Sequence, residues 1–119
     1  MTDTINKKDD IWILSSEGKE FHPLTNFPGR EANPHFSPDG SMIVFMSEHS
    51  GNQDIWIMSA EGGEPLQMTR HPGRDMTPRW SPEGNRIAFA SDRSGNRDIW
   101  VMHFEMQVIK KALRVKSIM

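Results

Sequence analysis

The chain has no cysteine. It therefore has no disulfide and no thiolate metal site, and its redox compartment is undetermined. It has no excess of one charge: 14 Lys and Arg face 16 Asp and Glu, a formal net charge of −2. Nothing in that balance points to nucleic acid or to an acidic surface as partner. It has no apolar run long enough for a transmembrane helix. The opening segment, MTDTINKKDD, lacks the apolar centre of a secretory signal, so no signal is expected within the chain. Export by a signal removed or lying upstream stays open. At 119 residues the chain is sized for one modest domain, expected to be soluble.

What the chain does have is repetition. Asp10-Ile11-Trp12, Asp54-Ile55-Trp56 and Asp98-Ile99-Trp100 recur at a spacing of 44 residues. Ser37-Pro38-Asp39-Gly40 returns as Ser81-Pro82-Glu83-Gly84, and Pro28-Gly29-Arg30 as Pro72-Gly73-Arg74, at the same spacing. Without a gap, 10–53 and 54–97 share 22 of 44 residues. Repeats of this length signal stacked supersecondary units.

Each period has the same grammar. Ser37-Pro38-Asp39-Gly40 fits a type I turn, with Pro at its second position and Gly at its last. Met42–Ser47 is rich in β formers. Ser50-Gly51-Asn52 tolerates the positive φ of a tight hairpin. Asp54–Ser59 reads as a strand, and Glu61-Gly62-Gly63 as another turn. Pro65–Thr69 reads as a weaker edge strand. One period thus holds four short strands. MIVFM and IWIM are apolar at consecutive positions, where a sheet with one wet face would alternate. Both sheet faces are expected to be covered. Four-stranded units of this length, stacked face to face, are blades of a β-propeller.

The segments PHFSPDGSMIVFMSEHSGNQDIWIM and PRWSPEGNRIAFASDRSGNRDIWVM resemble the WD-repeat-like blades of TolB-type propellers. Related blades occur in prolyl-oligopeptidase-type peptidases and the tricorn protease. The resemblance implies an all-β fold of four-stranded antiparallel blades in an incomplete ring. It places an inner strand near Pro34–Ser37, then strands near Met42–Ser47, Asp54–Ser59 and Glu64–Thr69. The next blade follows near Pro78–Ser81, Arg86–Ser91 and Asp98–His103. The expected organisation is a disordered arm over 1–9 and blades over 10–104. These are a half blade at 10–25, a full one at 34–70 and a partial one at 78–104. A tail follows over 105–119.

In that tail, Met106, Ile109, Ala112 and Leu113 share one helical face and Gln107, Lys110, Lys111 and Arg114 the other. An amphipathic helix of about three turns is expected. Three readings of the unfinished ring compete. The chain is a fragment of a longer propeller, it closes a ring by self-association, or the tail caps an open blade face. A fragment or partial propeller with a capping tail is the preferred reading, and a membrane-surface helix ranks below it.

Chemistry is sparse. No Gly-x-Ser-x-Gly nucleophile motif, phosphate loop or dinucleotide fingerprint occurs. The five histidines form no metal-binding pair, and no cofactor is expected. Asp92-x-Ser94-x-Asn96-x-Asp98 has the alternating oxygens of a calcium loop but lacks its bidentate Glu, so a hairpin turn is the better reading. Trp12, Trp56 and Trp100 occupy equivalent positions, as do Phe36 and Trp80, and read as packing residues between blades.

Function is expected in loops on the rigid scaffold. The candidate loops are Pro28–Asn33, Glu48–Gln53, Pro72–Thr77 and Asp92–Arg97. They carry Arg30, Glu31, His49, Arg74, Asp75, Arg93 and Arg97 as candidate partner-binding residues. The simplest alternative is that Arg30 with Glu31, and Arg74 with Asp75, form ion pairs of little energetic weight. The resemblance implies a non-enzymatic module for a protein or peptide partner, in a periplasmic or envelope setting. A peptidase propeller without its catalytic domain, and a self-assembling structural unit, are the alternatives. If Trp56 is core, Trp56→Ala will destabilise the fold by about 3–5 kcal/mol in chemical denaturation. Unchanged stability would place Trp56 on the surface.

Overall fold

The computed structural model describes residues 10–14, 21–25 and 29–113. The arm over 1–9, Pro28 and the end of the tail at 114–119 lie outside the described residues. Among the described residues, nine strands form three antiparallel sheets. The first pairs β1 (Trp12–Leu14) with β2 (Phe21–Pro23). The second runs in chain order through β3 (Glu31–Phe36), β4 (Met42–Ser47), β5 (Asp54–Ser59) and β6 (Leu66–Gln67). The third holds β7 (Asp75–Trp80), β8 (Arg86–Ser91) and β9 (Asp98–His103). These are the last half of one propeller blade, one complete blade and three strands of the next.

The turns are built as their residues require. Gly40 N donates to Ser37 O at 2.9 Å with Gly40 at φ 75°, closing the Ser-Pro-Asp-Gly turn. Asp39 Oδ1 accepts from Ser37 Oγ, Ser41 N and Ser41 Oγ, holding the turn from inside. Gly84 repeats this at φ 80°. β4 and β5 pair in unbroken register from Met42↔Ser59 to Ser47↔Asp54, and β8 and β9 do the same from Arg86↔His103 to Ser91↔Asp98.

Consecutive apolar residues in β4 and β5 are explained by cover on both faces. Ile43, Phe45, Trp56 and Met58 pack with Ile11 of the half blade. Met42, Val44, Ile55 and Ile57 pack with Trp80, Ile87 and Phe89 of the last blade. Every residue of both strands is buried. Each large side chain so buried contributes about 1.5–3 kcal/mol. β9 begins with the same Asp-Ile-Trp as β5, yet Ile99 is 72% and Val101 52% exposed. The difference is positional, because no sheet lies beyond β9 among the described residues.

The expected aromatic packing divides the same way. Trp56 and Trp80 are buried, and Trp80 Nε1 donates to His35 O of the preceding inner strand at 3.0 Å. Trp12, Phe36 and Trp100 are exposed. Among the described residues no inner strand precedes that of Phe36, because the half blade contributes only β1 and β2.

The inner strands start earlier than the sequence suggests, at Glu31 and Asp75. Each carries a bulge. Register shifts between Ala32 and His35 and between Met76 and Arg79, where Asn33 (φ 57°) and Thr77 (φ 50°) are left-handed. Pro34 and Pro78 follow and have no N–H for the ladder.

Helix α1 (Met106–Leu113) has eight residues, about two turns rather than three within the described residues. Ile109 enters the cluster between the two larger sheets, flanked by Met106 and Leu113. Lys110 Nζ reaches Asp39 Oδ2 at 2.7 Å, and this ammonium holds the Asp39 carboxyl well below the usual range. A Cβ at Gly84 would meet Met106 Cε at 3.1 Å. The helix thus crosses the end of the seam, beside the two Ser-Pro turns. It leaves Ile99 and Val101 uncovered, so the expectation that it caps the open blade face gives way to a seam cap. Met106, Ile109 and Leu113 of its apolar face are engaged in that cluster, while Val108 stays exposed.

Left-handed φ is unfavourable for β-branched Thr and mild for Asn. Thr77→Asn, copying the bulge of the middle blade, is expected to stabilise the protein by about 1 kcal/mol in denaturant titration. A loss of stability would show that the Thr77 side chain is needed there.

Candidate partner-binding face

At the end of the blades opposite α1, two kinds of loop meet. One precedes each inner strand, and the other joins the second strand to the third. Within the middle blade, Glu48 N donates to Arg30 O at 2.9 Å. Within the last blade, Arg74 N donates to Asp92 Oδ1 at 2.7 Å, and Arg74 Nε to Asp92 Oδ2 at 3.1 Å. Those donors hold Asp92 below its ordinary pKa, the backbone N–H first. Between blades, Asn52 Nδ2 donates to His71 O and Gly73 O, each at 3.0 Å, and Asp75 N donates to Gln53 O at 2.9 Å. A Cβ on Gly73 would lie 2.8 Å from Arg93 Cα, so only glycine fits there. The loops are a hydrogen-bonded frame.

The recurring Asp-Ile-Trp is part of that frame. Asp54 Oδ2 accepts from Ser50 Oγ at 2.8 Å and from Gln67 Nε2 at 3.1 Å. Thr69 Oγ1 accepts the Ile55 N–H at 2.9 Å, as Thr25 Oγ1 accepts that of Ile11 at 2.8 Å. Asp therefore ties the hairpin turn to the outer strand, Ile enters the seam, and Trp packs on the opposite face. In the last blade Ser94 Oγ donates to Asp98 Oδ2 at 2.8 Å. Asp92 is committed to Arg74. The oxygens that resembled a calcium loop bond one another and that arginine, and no group of three His, Cys, Asp or Glu among the described residues suits a metal.

The structure separates the candidate residues. Arg30, His49, Arg74 and Arg97 are exposed at this end. Glu31 and Asp75 are not on loops. They open β3 and β7 and are 1% and 0% exposed. The ion pairs also differ from the adjacent pairs considered from sequence. Arg74 pairs with Asp92, and Asp75 Oδ2 with Arg93 Nη2 at 2.9 Å. Arg93 is half-buried, with its guanidinium over the rings of Phe89 and Trp100 at 5.4 and 5.0 Å.

The seam below the half blade handles its buried carboxyl differently. Glu31 matches Asp75, and His49 stands where Arg93 would. Glu31 Oε2 accepts from Ser47 Oγ at 3.1 Å, while Glu31 Oε1 and Asp10 Oδ1 have no donor. Burial first, then the facing Asp10 carboxyl, push the Glu31 pKa from 4.5 up to about 7.

Beside this frame lies a cleft of about 310 Å³, lined by Gly29, Glu48, Gly51, Asn52, Gln53 and Arg74. Sequence reasoning did not single out Glu48, Asn52 or Gln53 as cleft residues. The identical Asn52 and Asn96 were a signal, read as turn formers or as oxygens of a calcium-type loop rather than as cleft residues. A carboxylate, two amides and a guanidinium here can pair with the main chain and side chains of a peptide. A second cavity, about 620 Å³, lies at the opposite end between Glu61–Glu64 and α1, lined also by Ser59, Ala112 and Leu113.

Comparison with known proteins agrees with the blade geometry. A family model described as the TolB beta propeller domain matches residues 2–115. The chain belongs to the TolB β-propeller family. Among curated proteins, the Tol-Pal system protein TolB of Nitratidesulfovibrio vulgaris is 40% identical over 38 residues, 32% of this chain and 9% of that protein. A putative TolB from Agrobacterium tumefaciens superposes with a TM-score of 0.73 at 26% identity, over 80% of this chain and 37% of the other. TolB from Acinetobacter baumannii gives 0.73 at 30% identity, over 82% and 24%. The tricorn protease gives 0.61 at 19% identity, over 79% and 8%, a likeness of fold. The chain thus spans a small part of each TolB propeller protein it matches.

The Glu31 proton has a consequence for stability. Between pH 4.5 and about 7 the folded protein keeps a proton that the unfolded chain has released. Stability from this site is therefore greatest below the unfolded value and falls as pH rises through 7. Glu31→Gln should flatten that slope and raise the melting temperature at pH 8 relative to pH 5. An unchanged slope would place the titration elsewhere.

Proposed function

We propose that this TolB-family propeller segment is a non-enzymatic binding module whose loop end engages a protein or peptide. The observation that carries the reading is the hydrogen-bonded loop frame, which exposes Arg30, His49, Arg74 and Arg97 at the end of the blades that holds a polar cleft lined by Arg74. A preorganised surface of this kind loses little conformational entropy on binding. Guanidinium groups there suit carboxylates and main-chain carbonyls. Glu31 and Asp75, originally grouped with these residues, serve instead as buried struts beneath the face.

The name of one relative places that protein in the Tol-Pal system. Proteins of that system are therefore the first partners to test. The fold likeness to the tricorn protease favours a second reading, in which the blades belong to a larger peptidase. A catalytic domain in the parent reading frame would support it.

Arg74→Ala combined with Arg97→Ala is expected to weaken capture of a Tol-Pal protein about tenfold, or about 1.4 kcal/mol, by titration calorimetry. The melting temperature should hardly move, because the Arg74–Asp92 pair is exposed. Undiminished binding would put the partner site elsewhere.

A further inference from the structure

The repeat puts the same tripeptide at both ends of the blade stack. Asp10-Ile11-Trp12 at β1 and Asp98-Ile99-Trp100 at β9 are identical and stand two periods apart. Two whole blades need eight strands, and the described residues hold nine. Strand β9 is also left open along its outer edge. In the middle blade that edge is filled: Trp56 pairs with Gln67 and Ile57 with Leu66. There Ile55 donates to Thr69 Oγ1 at 2.9 Å and accepts from Met68 N at 2.7 Å. In the half blade Ile11 does the same with Thr25 Oγ1 at 2.8 Å and Leu24 N at 2.7 Å.

One period beyond Leu66–Thr69 lie residues 110–113, and these are in α1. Leu113 stands where the threonine would be and has no hydroxyl. No strand therefore meets the Ile99 N–H and C=O among the described residues. The Ile99 side chain is 72% exposed, whereas its counterparts Ile11 and Ile55 are 5% and 0% exposed.

We propose that a second copy of this chain completes the last blade by strand exchange, adding its Phe21–Thr25 segment to β9. Thr25 of the second copy then accepts the Ile99 N–H, and its Leu24 N–H donates to Ile99 O. β9 takes the place of the second copy's β1. Ile99 enters the pocket formed by Ile43, Phe45, Trp56 and Met58, which Ile11 fills within one chain. The occupant follows from the repeat, since the incoming tripeptide is identical to the one displaced. The interface continues the blade-on-blade seam already present inside the chain. What gives way is a strand of three residues in a two-stranded sheet, a unit marginal by itself. The contact is head-to-tail and contributes two blades per copy. Closed propellers of about four to eight blades then take about two to four copies. The exchange is independent of what the loop end binds.

The absence of native cysteine makes the test direct. His22→Cys and Val101→Cys are made singly, mixed, unfolded together, refolded and mildly oxidised. His22 faces Ile13 in register, and Val101 is the equivalent of Ile13, so the mixture should yield the mixed disulfide. Light scattering of the wild type should show one species of two to four times 13.6 kDa. Ile99→Lys should reduce that mass to a single chain with an unchanged far-ultraviolet spectrum, because the residue is exposed within one chain. A wild type that stays at 13.6 kDa at every concentration would overturn the proposal. So would an Ile99→Lys variant of unaltered mass. Val101→Cys joining only to itself would show two β9 edges pairing directly and would equally overturn it.

Discussion

The structure depends on a sheet that must be covered on both faces. Strands β4 and β5 carry unbroken apolar runs, Met42–Met46 and Ile55–Met58, so neither face can be left to water. Ile11 and its neighbours cover one side, and Trp80, Ile87 and Phe89 the other. That demand fixes the stacking of the blades, and stacking fixes everything else. It brings the loops of adjacent blades close enough for Asn52 to bond the carbonyls of 71 and 73. It buries Glu31 and Asp75, whose charges must then be met by a proton or by Arg93. It also makes the apolar face of β9 an anomaly.

The two seams show one architecture handling buried carboxyls in two ways. Asp75 has an arginine, itself shared with Phe89 and Trp100. Glu31 has a second carboxyl. A buried charge without a partner is costly, so the second seam is the pH-sensitive one. Function at the loop end inherits this base, because the carboxyl-bearing strands begin directly beneath the loops that form the face.

Much of the fold was legible from residues alone. The 44-residue period set the blades, β4 and β5 lie where the residue pattern put them, and β8 and β9 where the resemblance to TolB-type blades put them. Three things were not legible. Inner strands start with an acidic residue and contain proline, so Glu31 and Asp75 read as loop, though a retained proton on Glu31 and the Arg93 partner of Asp75 permit such residues in strands. Identical Asp-Ile-Trp tripeptides are buried at 54–56 and exposed at 98–100, because burial belongs to the neighbour and not to the tripeptide. The amphipathic tail showed that a helix would dock but not where, since its seat rests on Ile109 between sheets and on a Lys110–Asp39 contact 71 residues apart. For the loop face, the arginines were visible as exposed charge. The cleft was not, because it forms only when Gly29, Asn52 and Arg74 are folded together.

Amide hydrogen exchange, read residue by residue, tests the stacking most directly. Burial on two faces predicts that Met42–Ser47 and Asp54–Ser59 are the last amides to exchange, through global unfolding, with β1 and β2 far earlier. If β4 and β5 exchange as fast as β1 and β2, the middle sheet is not held between two others, and the account built on that stack is wrong.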